Sequence, residues 1–255
     1  MAATPDKFQK VKIVSRRDLA PDLWTIRVAP EEPLVFKPGQ YVTLGMNTGA
    51  KPLERAYSIV SSPLESEIEF FFELVQDGAL TPRLYEMREG DTFLMRRQAK
   101  GLFILDTKSG HANHAMVSTV TGVAPFVSMA RTQAREAEKG APPAGRMVLL
   151  QSASRSWEFA YDEELRRLAA SFPWLEYIPT ISRPWEDGAW RGEVGRAEDV
   201  LRKHLDRMGL APETTTAYLC GHPMMIENAQ GILQRRGFKK EFIREEVYWV
   251  PKKTS

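Results

Sequence analysis

Apolar and polar positions along the chain follow two patterns, and the change between them falls near residue 106. Before it, apolar, β-branched and aromatic residues recur in short runs separated by turn residues such as Lys37-Pro38-Gly39. The runs predict six strands: Phe8–Val14, Leu23–Val28, Tyr41–Met46, Ala56–Val60, Ile68–Val75 and Asp91–Arg97. Six short strands at this spacing predict a closed antiparallel β-barrel, because closure removes exposed sheet edges. One helix is predicted between them, Thr81–Met87, with Thr81 as its N-cap and Pro82 at its first position.

After the polar stretch Thr107-Lys108-Ser109-Gly110, predicted strands alternate with predicted helices. The strands are Ala115–Val120, Arg146–Gln151, Leu175–Thr180, Thr216–Cys220 and Phe242–Glu246, and the helices are Pro125–Glu138, Glu158–Ala170, Arg196–Met208 and Pro223–Arg235. This alternation predicts a parallel α/β sheet with right-handed crossovers, whose ligands bind at the carboxyl ends of its strands. We therefore expect two domains, at residues 1–106 and 112–255.

Composition narrows the classes of function. The 255 residues are 43% hydrophobic and 27% charged, which is ordinary for a globular protein. The 35 Lys and Arg against 33 Asp and Glu give no support for a nucleic-acid binder held by bulk charge. A single cysteine excludes an internal disulfide, a four-cysteine zinc site and a thiolate-held iron–sulfur cluster. With no long apolar run and no signal-peptide core, we expect a soluble cytoplasmic protein.

Two motifs in the first domain suit a flat, phosphorylated cofactor. Arg55-Ala56-Tyr57-Ser58 combines a guanidinium that can hold a phosphate, a stacking ring and a hydroxyl donor. An ordinary strand with one inward tyrosine is the alternative interpretation. Gly78-Ala79-Leu80-Thr81-Pro82-Arg83-Leu84 opens a helix, whose N-terminus is a ready anion site, although a capped helix that closes the barrel explains it equally well.

Two loops and a tail carry the candidate chemistry of the second domain. Thr119-Val120-Thr121-Gly122-Val123-Ala124-Pro125-Phe126 lies where a nucleotide pyrophosphate would bind, but it lacks a G-x-G-x-x-G fingerprint. In Cys220-Gly221-His222-Pro223-Met224-Met225, the cysteine is typical of a small core hydrophobe and the histidine has no partner pattern for a metal site. The aromatic pair in Glu245-Glu246-Val247-Tyr248-Trp249 is either buried for area or covers a flat ligand.

Arginines near the predicted strand ends form a candidate phosphate clamp. Arg155 and the Ser182-Arg183 pair, backed by Arg191 and Arg196, can bind a phosphate monoester through charge-assisted hydrogen bonds. A solvated charge on a loop is the alternative for each of them.

The order of these motifs resembles the ferredoxin–NADP⁺ reductase family, and most of all its bacterial ferredoxin/flavodoxin–NADP⁺ reductases. The resemblance implies an FAD-binding barrel followed by a Rossmann-like NADP(H) domain, with hydride transfer between nicotinamide C4 and flavin N5. It also implies that single electrons pass to ferredoxin or flavodoxin. Two other hypotheses stay open: an NAD(P)H:flavin reductase or oxygenase reductase component on the same scaffold, and a flavin-free binding protein.

The resemblance also assigns roles to residues. Tyr57 would stack on one flavin face and Tyr248 on the other, with Ser58 near N5 and Arg55 and Thr81 on the pyrophosphate. The implied FAD contacts are Arg55, Ala56, Tyr57, Ser58, Phe71, Ala79, Leu80, Thr81, Thr121, Tyr248 and Trp249, the last near the adenine. The implied NADP(H) contacts are Thr121, Gly122, Ser154, Arg155, Ser182, Arg183, Arg196, Cys220, Gly221, His222, Pro223 and Met224. The implied catalytic residues are Ser58, Cys220, Glu246 and Tyr248, with no metal.

Three departures from the family pattern bear on the nucleotide. Val120 stands where the family usually has glycine, and its Cβ is expected to alter the loop. Arginine lies at Arg155 rather than at Ser154, one place earlier, where bacterial relatives often have it. The chain also runs on past Trp249, as Val250–Ser255. We favour NADPH, because we expect no carboxylate at the Ser182-Arg183 pair itself, although Glu186 and Asp187 are near in sequence.

Overall fold

The computed structural model describes residues 7–47, 52–143 and 145–248, which form two six-stranded sheets. The first sheet is antiparallel, in the order β4-β3-β6-β1-β2-β5. Its elements are β1 (Phe8–Ala20), β2 (Leu23–Pro30), β3 (Tyr41–Asn47), β4 (Pro52–Ser58), β5 (Ile68–Glu73), α1 (Thr81–Glu86) and β6 (Thr92–Arg96). All six predicted strands are present, and β1 extends six residues further than the sequence pattern predicts.

One apolar core fills the first sheet because side chains alternate along its strands. Val11 and Ile13 point inward from β1, while the lysines beside them are exposed. The other five strands add apolar residues to the same core. The edges approach each other just after β4, where the Val60 N–H donates to the Glu69 carbonyl oxygen of β5 at 2.9 Å. The expected barrel architecture is confirmed.

Thr81 differs from its predicted role as an N-cap. The helix begins at Thr81 itself, so Leu80 occupies the N-cap position. The Thr81 hydroxyl instead accepts from the Val75 N–H at 3.1 Å and donates to the Val75 carbonyl at 3.2 Å. Thr81 therefore ties down the loop that leads into α1.

The second sheet is entirely parallel, in the order β10-β9-β8-β7-β11-β12, as the strand–helix alternation predicts. Its elements are β7 (Asn113–Thr119), α2 (Ala124–Glu138), β8 (Arg146–Ala153), α3 (Asp162–Ser171), β9 (Leu175–Ile181), β10 (Glu193–Val194), α4 (Ala197–Arg207), β11 (Thr215–Gly221), α5 (Pro223–Arg235) and β12 (Ile243–Val247). Helices α2 and α3 cover one face, and α4 and α5 cover the other. The two-residue edge strand β10 is too short for a sequence pattern to indicate.

A buried polar network joins the two sheets. Arg131 of α2 donates to Glu69 of β5 at 2.7 Å and to both carboxylate oxygens of Glu164 in α3 at 2.7 and 2.8 Å. Tyr161 and Arg27 also donate to Glu69, at 3.0 and 2.9 Å. Burial alone would lower the pKa of Arg131, but the hydrogen bonds and charges of its carboxylate partners raise it. These contacts fix the orientation of one sheet relative to the other.

Within the described residues, no helix has both the length and the apolar character needed to cross a membrane.

Candidate functional site

Two loops, one after β7 and one after β11, meet where the strand order of the parallel sheet reverses. A Cβ on Gly122 would overlap the Cys220 carbonyl, and a Cβ on Gly221 would overlap the Thr119 hydroxyl. Gly221 also has φ +130°, a conformation that side-chain-bearing residues rarely adopt. The His222 N–H donates to Thr119 Oγ1 at 2.8 Å. Both glycines are therefore required for the loops to approach closely, at the position where an open α/β sheet binds its ligand.

Val120 has a left-handed backbone, with φ +38°. It is the one non-glycine residue with positive φ in the part of the chain that the structure describes, and this conformation is strained for a β-branched side chain. Its carbonyl accepts from Gln151 Nε2 at 3.5 Å, and Tyr177 donates to the same amide at 2.8 Å. The loop thus keeps a glycine-like conformation without the glycine.

The four expected catalytic residues lie together across the boundary between the sheets. Ser58, at the end of β4, donates to Glu246 Oε1 of β12 at 2.6 Å. Cys220 lies opposite Glu246 in the β11–β12 pairing. The Tyr248 hydroxyl donates to the Thr121 carbonyl at 3.1 Å. We name this set the seam cluster: Ser58, Cys220, Glu246 and Tyr248.

Burial sets the electrostatics of the seam cluster. Desolvation raises the pKa of the Glu246 carboxyl, and the Ser58 hydrogen bond partly offsets that rise. Desolvation together with the Glu246 charge raises the pKa of the Cys220 thiol well above its ordinary value. The pKa of Tyr248 is raised for the same reasons, with desolvation the largest cause. At neutral pH Cys220 and Tyr248 are therefore uncharged, and the Glu246 carboxyl takes up a proton more readily than a free carboxyl does.

The Arg55-Ala56-Tyr57-Ser58 motif lies on β4 with its residues at graded depths. Arg55 and Ala56 are exposed, Tyr57 is half-buried and Ser58 is buried. The Tyr57 ring packs edge-on against Phe72 at 4.9 Å, and Arg55 donates to the Glu54 carbonyl at 2.7 Å. Burial raises the pKa of Tyr57, while the Arg55 charge acts in the opposite direction. This arrangement presents an exposed cation and a supported aromatic ring beside a buried hydroxyl.

A groove runs along the first domain beside this motif. Its volume is about 620 Å³, and it is lined by Leu53, Gln76, Gly78, Ala79, Pro82, Arg83 and Glu86, which we name the barrel groove. Arg83 adds a cation that sequence reasoning did not select, although its segment was recognised. Leu80 is instead buried in the barrel core. The groove is lined by one cation, Arg83, and one carboxylate, Glu86, and its volume is in the range of a site for a cofactor such as FAD.

Within the described part of the chain, Ala79 is the one expected FAD contact that lines this groove. The Phe71 side chain lies on the opposite face of β5 from Phe72 and packs edge-on against Tyr161 at 5.8 Å. It belongs to the core shared by the two domains, away from Tyr57. Trp249 lies outside the described residues.

A second cleft of about 460 Å³ lies between the β1–β2 turn and the carboxyl ends of β7, β8 and β9. Its lining residues are Ala20, Pro21, Asp22, Leu23, Glu73, Val120, Ser154, Arg155, Trp157, Glu158 and Arg183, which we name the interdomain cleft. Burial raises the pKa of the Glu73 carboxyl, and the charges of Asp22 and Glu158 raise it further. The cleft therefore holds the predicted arginines together with acidic groups.

The predicted clamp is already occupied by carboxylates of this chain. Arg155 Nε donates to Glu186 at 2.6 Å, and Arg155 Nη1 donates to Glu158 at 3.0 Å. Arg183 lies 3.7 Å from the same Glu186. The expectation that no carboxylate stands at the Ser182-Arg183 pair is wrong, because a short 3₁₀ turn folds Glu186 back onto it.

The remaining predicted contacts lie just after β9 and at the starts of α4 and α5. Ser182 donates to the Ala153 carbonyl at 3.4 Å, and Arg196 precedes α4, where its N–H donates to Asp199 at 3.2 Å. Pro223 begins α5, and the His222 ring accepts from the Met224 N–H at 3.2 Å. Met224 is 57% exposed, so an apolar side chain stands at the rim of the switch-point loops.

Comparisons with known proteins agree with this arrangement. Residues 10–101 match the oxidoreductase FAD-binding domain, and residues 116–231 match the oxidoreductase NAD-binding domain. The chain is 29% identical over 230 residues to a ferredoxin–NADP reductase of Pseudomonas aeruginosa, covering 85% of each protein. It is 27% identical over 257 residues to a flavodoxin/ferredoxin–NADP reductase of Rhodobacter capsulatus, covering 92% of each.

A solved structure extends the likeness to three dimensions. A ferredoxin NADP⁺ reductase from Neisseria gonorrhoeae with bound FAD and NADP superposes with a TM-score of 0.80 at 26% identity, covering 95% of this chain and 99% of that one. The two domain matches together span most of the chain, in the order that the motifs predict. The chain therefore joins an oxidoreductase FAD-binding domain to an oxidoreductase NAD-binding domain, and over most of its length it is similar to ferredoxin/flavodoxin–NADP⁺ reductases.

Proposed function

We propose that this protein exchanges electrons between NADP(H) and a small one-electron carrier, ferredoxin or flavodoxin. The observation that supports it most is the seam cluster, in which Ser58 of the first domain meets Cys220, Glu246 and Tyr248 of the second. A hydride can pass between two bound cofactors only if their reacting atoms meet, and this cluster lies where the two cofactor-binding domains adjoin.

The barrel groove and β4 would hold the FAD. Arg55 and Arg83 supply cations for a pyrophosphate, and the Tyr57 ring supplies a supported stacking face. Bound FAD supplies the redox chemistry itself, since a flavin can take two electrons from a dihydronicotinamide and release them singly. The role of the protein is to orient the cofactors, to exclude water from them and to hold or move protons.

Ser58 and Glu246 can hold or move a proton at the Ser58 oxygen. Ser58 Oγ–H donates to Glu246 Oε1 at 2.6 Å, and the raised pKa of Glu246 lets its carboxyl take up a proton more readily than a free carboxyl does. Tyr248 is an exposed residue at 38%, but its hydroxyl donates to the Thr121 carbonyl and its side chain lies against the buried Cys220. An arriving nicotinamide ring would have to displace it.

The test combines a spectrum with steady-state kinetics. Purified protein should show flavin absorption, and NADPH should support reduction of ferredoxins or flavodoxins as well as of an artificial one-electron acceptor. Ser58→Ala should lower both rates while FAD stays bound, whereas Ser109→Ala, in the linker turn after the first domain, should leave both unchanged. A colourless protein would refute the proposal in favour of a flavin-free binding protein. A yellow protein that reduces free flavins or an oxygenase partner, but neither carrier, would refute the choice of partner.

A further inference from the structure

The arginine pair at the carboxyl ends of β8 and β9 shares one carboxylate, Glu186. Its Oε2 accepts from Arg155 Nε at 2.6 Å, and its Oε1 lies 3.7 Å from Arg183 Nη1. A single side chain therefore bridges two cations that belong to different strand ends. These are the two arginines that the sequence predicts as a clamp for a phosphate monoester.

The neighbouring donors are occupied as well. Glu158 accepts from the Ser154 N–H at 2.8 Å, and Asp187 accepts from the Ser156 N–H at 2.8 Å. Three carboxylates thus stand against two guanidinium groups, which leaves the site without the positive charge that the sequence predicts. A doubly charged phosphate is disfavoured there, whereas a neutral ribose diol can donate to a carboxylate.

Glu186 is the carboxylate that can leave. Glu158 and Asp187 are buried, at 8% and 6% exposure, and each is anchored by a backbone N–H. Glu186 lies in an exposed position on a short 3₁₀ turn, where its carboxylate accepts from Arg155 and forms a longer ion pair with Arg183 at 3.7 Å. Rotation of this one exposed side chain would therefore free Arg183 and leave Arg155 paired with Glu158 alone.

We infer that Glu186 competes with the 2′-phosphate of the nucleotide for Arg155 and Arg183, and so narrows the difference in affinity between NADP(H) and NAD(H). The inference rests on the proposed function, and it takes the adenosine end of the nucleotide to bind at the interdomain cleft, beside the predicted arginine clamp. NAD(H) can bind while Glu186 keeps its contacts. NADP(H) must first displace it, and the free energy of the broken ion pair is subtracted from the affinity.

The test is direct binding to FAD-loaded protein, measured by calorimetry with NADP⁺, NAD⁺ and 2′-phospho-AMP. Glu186→Gln keeps the shape of the side chain but removes its charge. We expect Glu186→Gln to tighten the binding of NADP⁺ and 2′-phospho-AMP by roughly tenfold, which corresponds to about 1.4 kcal/mol. The affinity for NAD⁺ should be unchanged or weaker. Glu176→Gln is the matched control, because Glu176 also forms a partly exposed ion pair, with Arg207 at 3.5 Å, but at the opposite end of β9. Glu176→Gln should change the affinity for neither NADP⁺ nor NAD⁺.

Several outcomes would overturn the inference. If the wild-type protein binds NADP⁺ but Glu186→Gln leaves that affinity unchanged or weaker, Glu186 is not a competitor. Equal tightening of NADP⁺ and NAD⁺ would also refute it, since the effect would then not depend on the 2′-phosphate. If wild-type protein that carries FAD binds neither nucleotide, the proposed function itself fails and the inference fails with it.

Discussion

Replacing Arg131 with methionine should destabilise the protein far more than replacing an exposed arginine. Arg131 is 8% exposed and makes three hydrogen bonds to Glu69 and Glu164, all at 2.7–2.8 Å. Methionine fills similar space but supplies no donor and no charge. Arg131→Met would leave the Glu69 carboxylate, itself 5% exposed, with one cation fewer at the boundary between the two domains.

The structure sets the magnitude of this loss. Removing one partner of a buried ion pair typically costs about 3–5 kcal/mol, because the other charge stays buried. Arg27 remains 2.9 Å from Glu69, and Tyr161 still donates to it at 3.0 Å, so part of the carboxylate's stabilisation survives. We therefore expect about 3 kcal/mol, the low end of that range. For a chain of this size that lowers Tm by about 6–12 °C.

Thermal unfolding followed by circular dichroism, with FAD in excess, measures the effect. Arg166→Met is the matched control, since Arg166 pairs with Asp162 at 2.8 Å but their side chains are 51% and 31% exposed. That pair should contribute about 1 kcal/mol or less. If the Tm of Arg131→Met lies within about 2 °C of the control, which is under 1 kcal/mol on this scale, the buried network does not hold the domains together.

Three further predictions address the cofactors and pH. Arg55→Ala should weaken FAD binding by roughly 10- to 100-fold, since one charge-assisted hydrogen bond is lost, and wild-type-like occupancy after dialysis would contradict this. Tyr248→Ser should tighten NADP⁺ binding in titrations that follow the flavin spectrum, because no ring has to be displaced; unchanged or weaker binding would mean that Tyr248 is not a gate. Burial lowers the pKa of His114 from 6.5 to about 4, so stability is lost as pH falls from 6.5 towards 4, where the unfolded chain takes up the proton first. In urea melts, the free energy of unfolding of the wild-type protein should fall by about 2–3 kcal/mol more between pH 7 and pH 4.5 than that of His114→Leu. Parallel pH profiles for the variant and the wild type would refute the assignment.

Strands and helices were predictable wherever burial imposes a period on the sequence. In β1 the alternation of Val11 and Ile13 with lysines marks the inner face, and α5 has the predicted bounds Pro223–Arg235. Phe71 was not predictable in this way, because all residues of β5 from Ile68 to Phe72 are buried. A strand buried on both faces carries no alternation that would indicate which way a side chain points.

The residues of the seam cluster were predictable from sequence motifs, whereas the carboxylates at the arginine clamp were not. Ser58, Cys220, Glu246 and Tyr248 lie in motifs whose order suggests a common site, and the structure brings them together. The carboxylates around Arg155 belong to no motif, and their positions depend on which turns face each other across β8 and β9. The predicted helix start at Glu158 shows the same limit: Glu158 ends a 3₁₀ turn and binds the Ser154 N–H, and α3 begins only at Asp162.

The burial of Cys220 gives the protein its own chemical reporter. It is the one thiol among the 255 residues, and it lies fully buried beside Tyr248. An alkylating reagent attacks only a thiolate that it can reach, so labelling of the native protein has to wait for a local opening of the seam. The ratio of the alkylation rates in folded and unfolded chains then gives the free energy of that opening directly. Mass measurements over time would follow how much of the protein has the seam open, with no engineered residue.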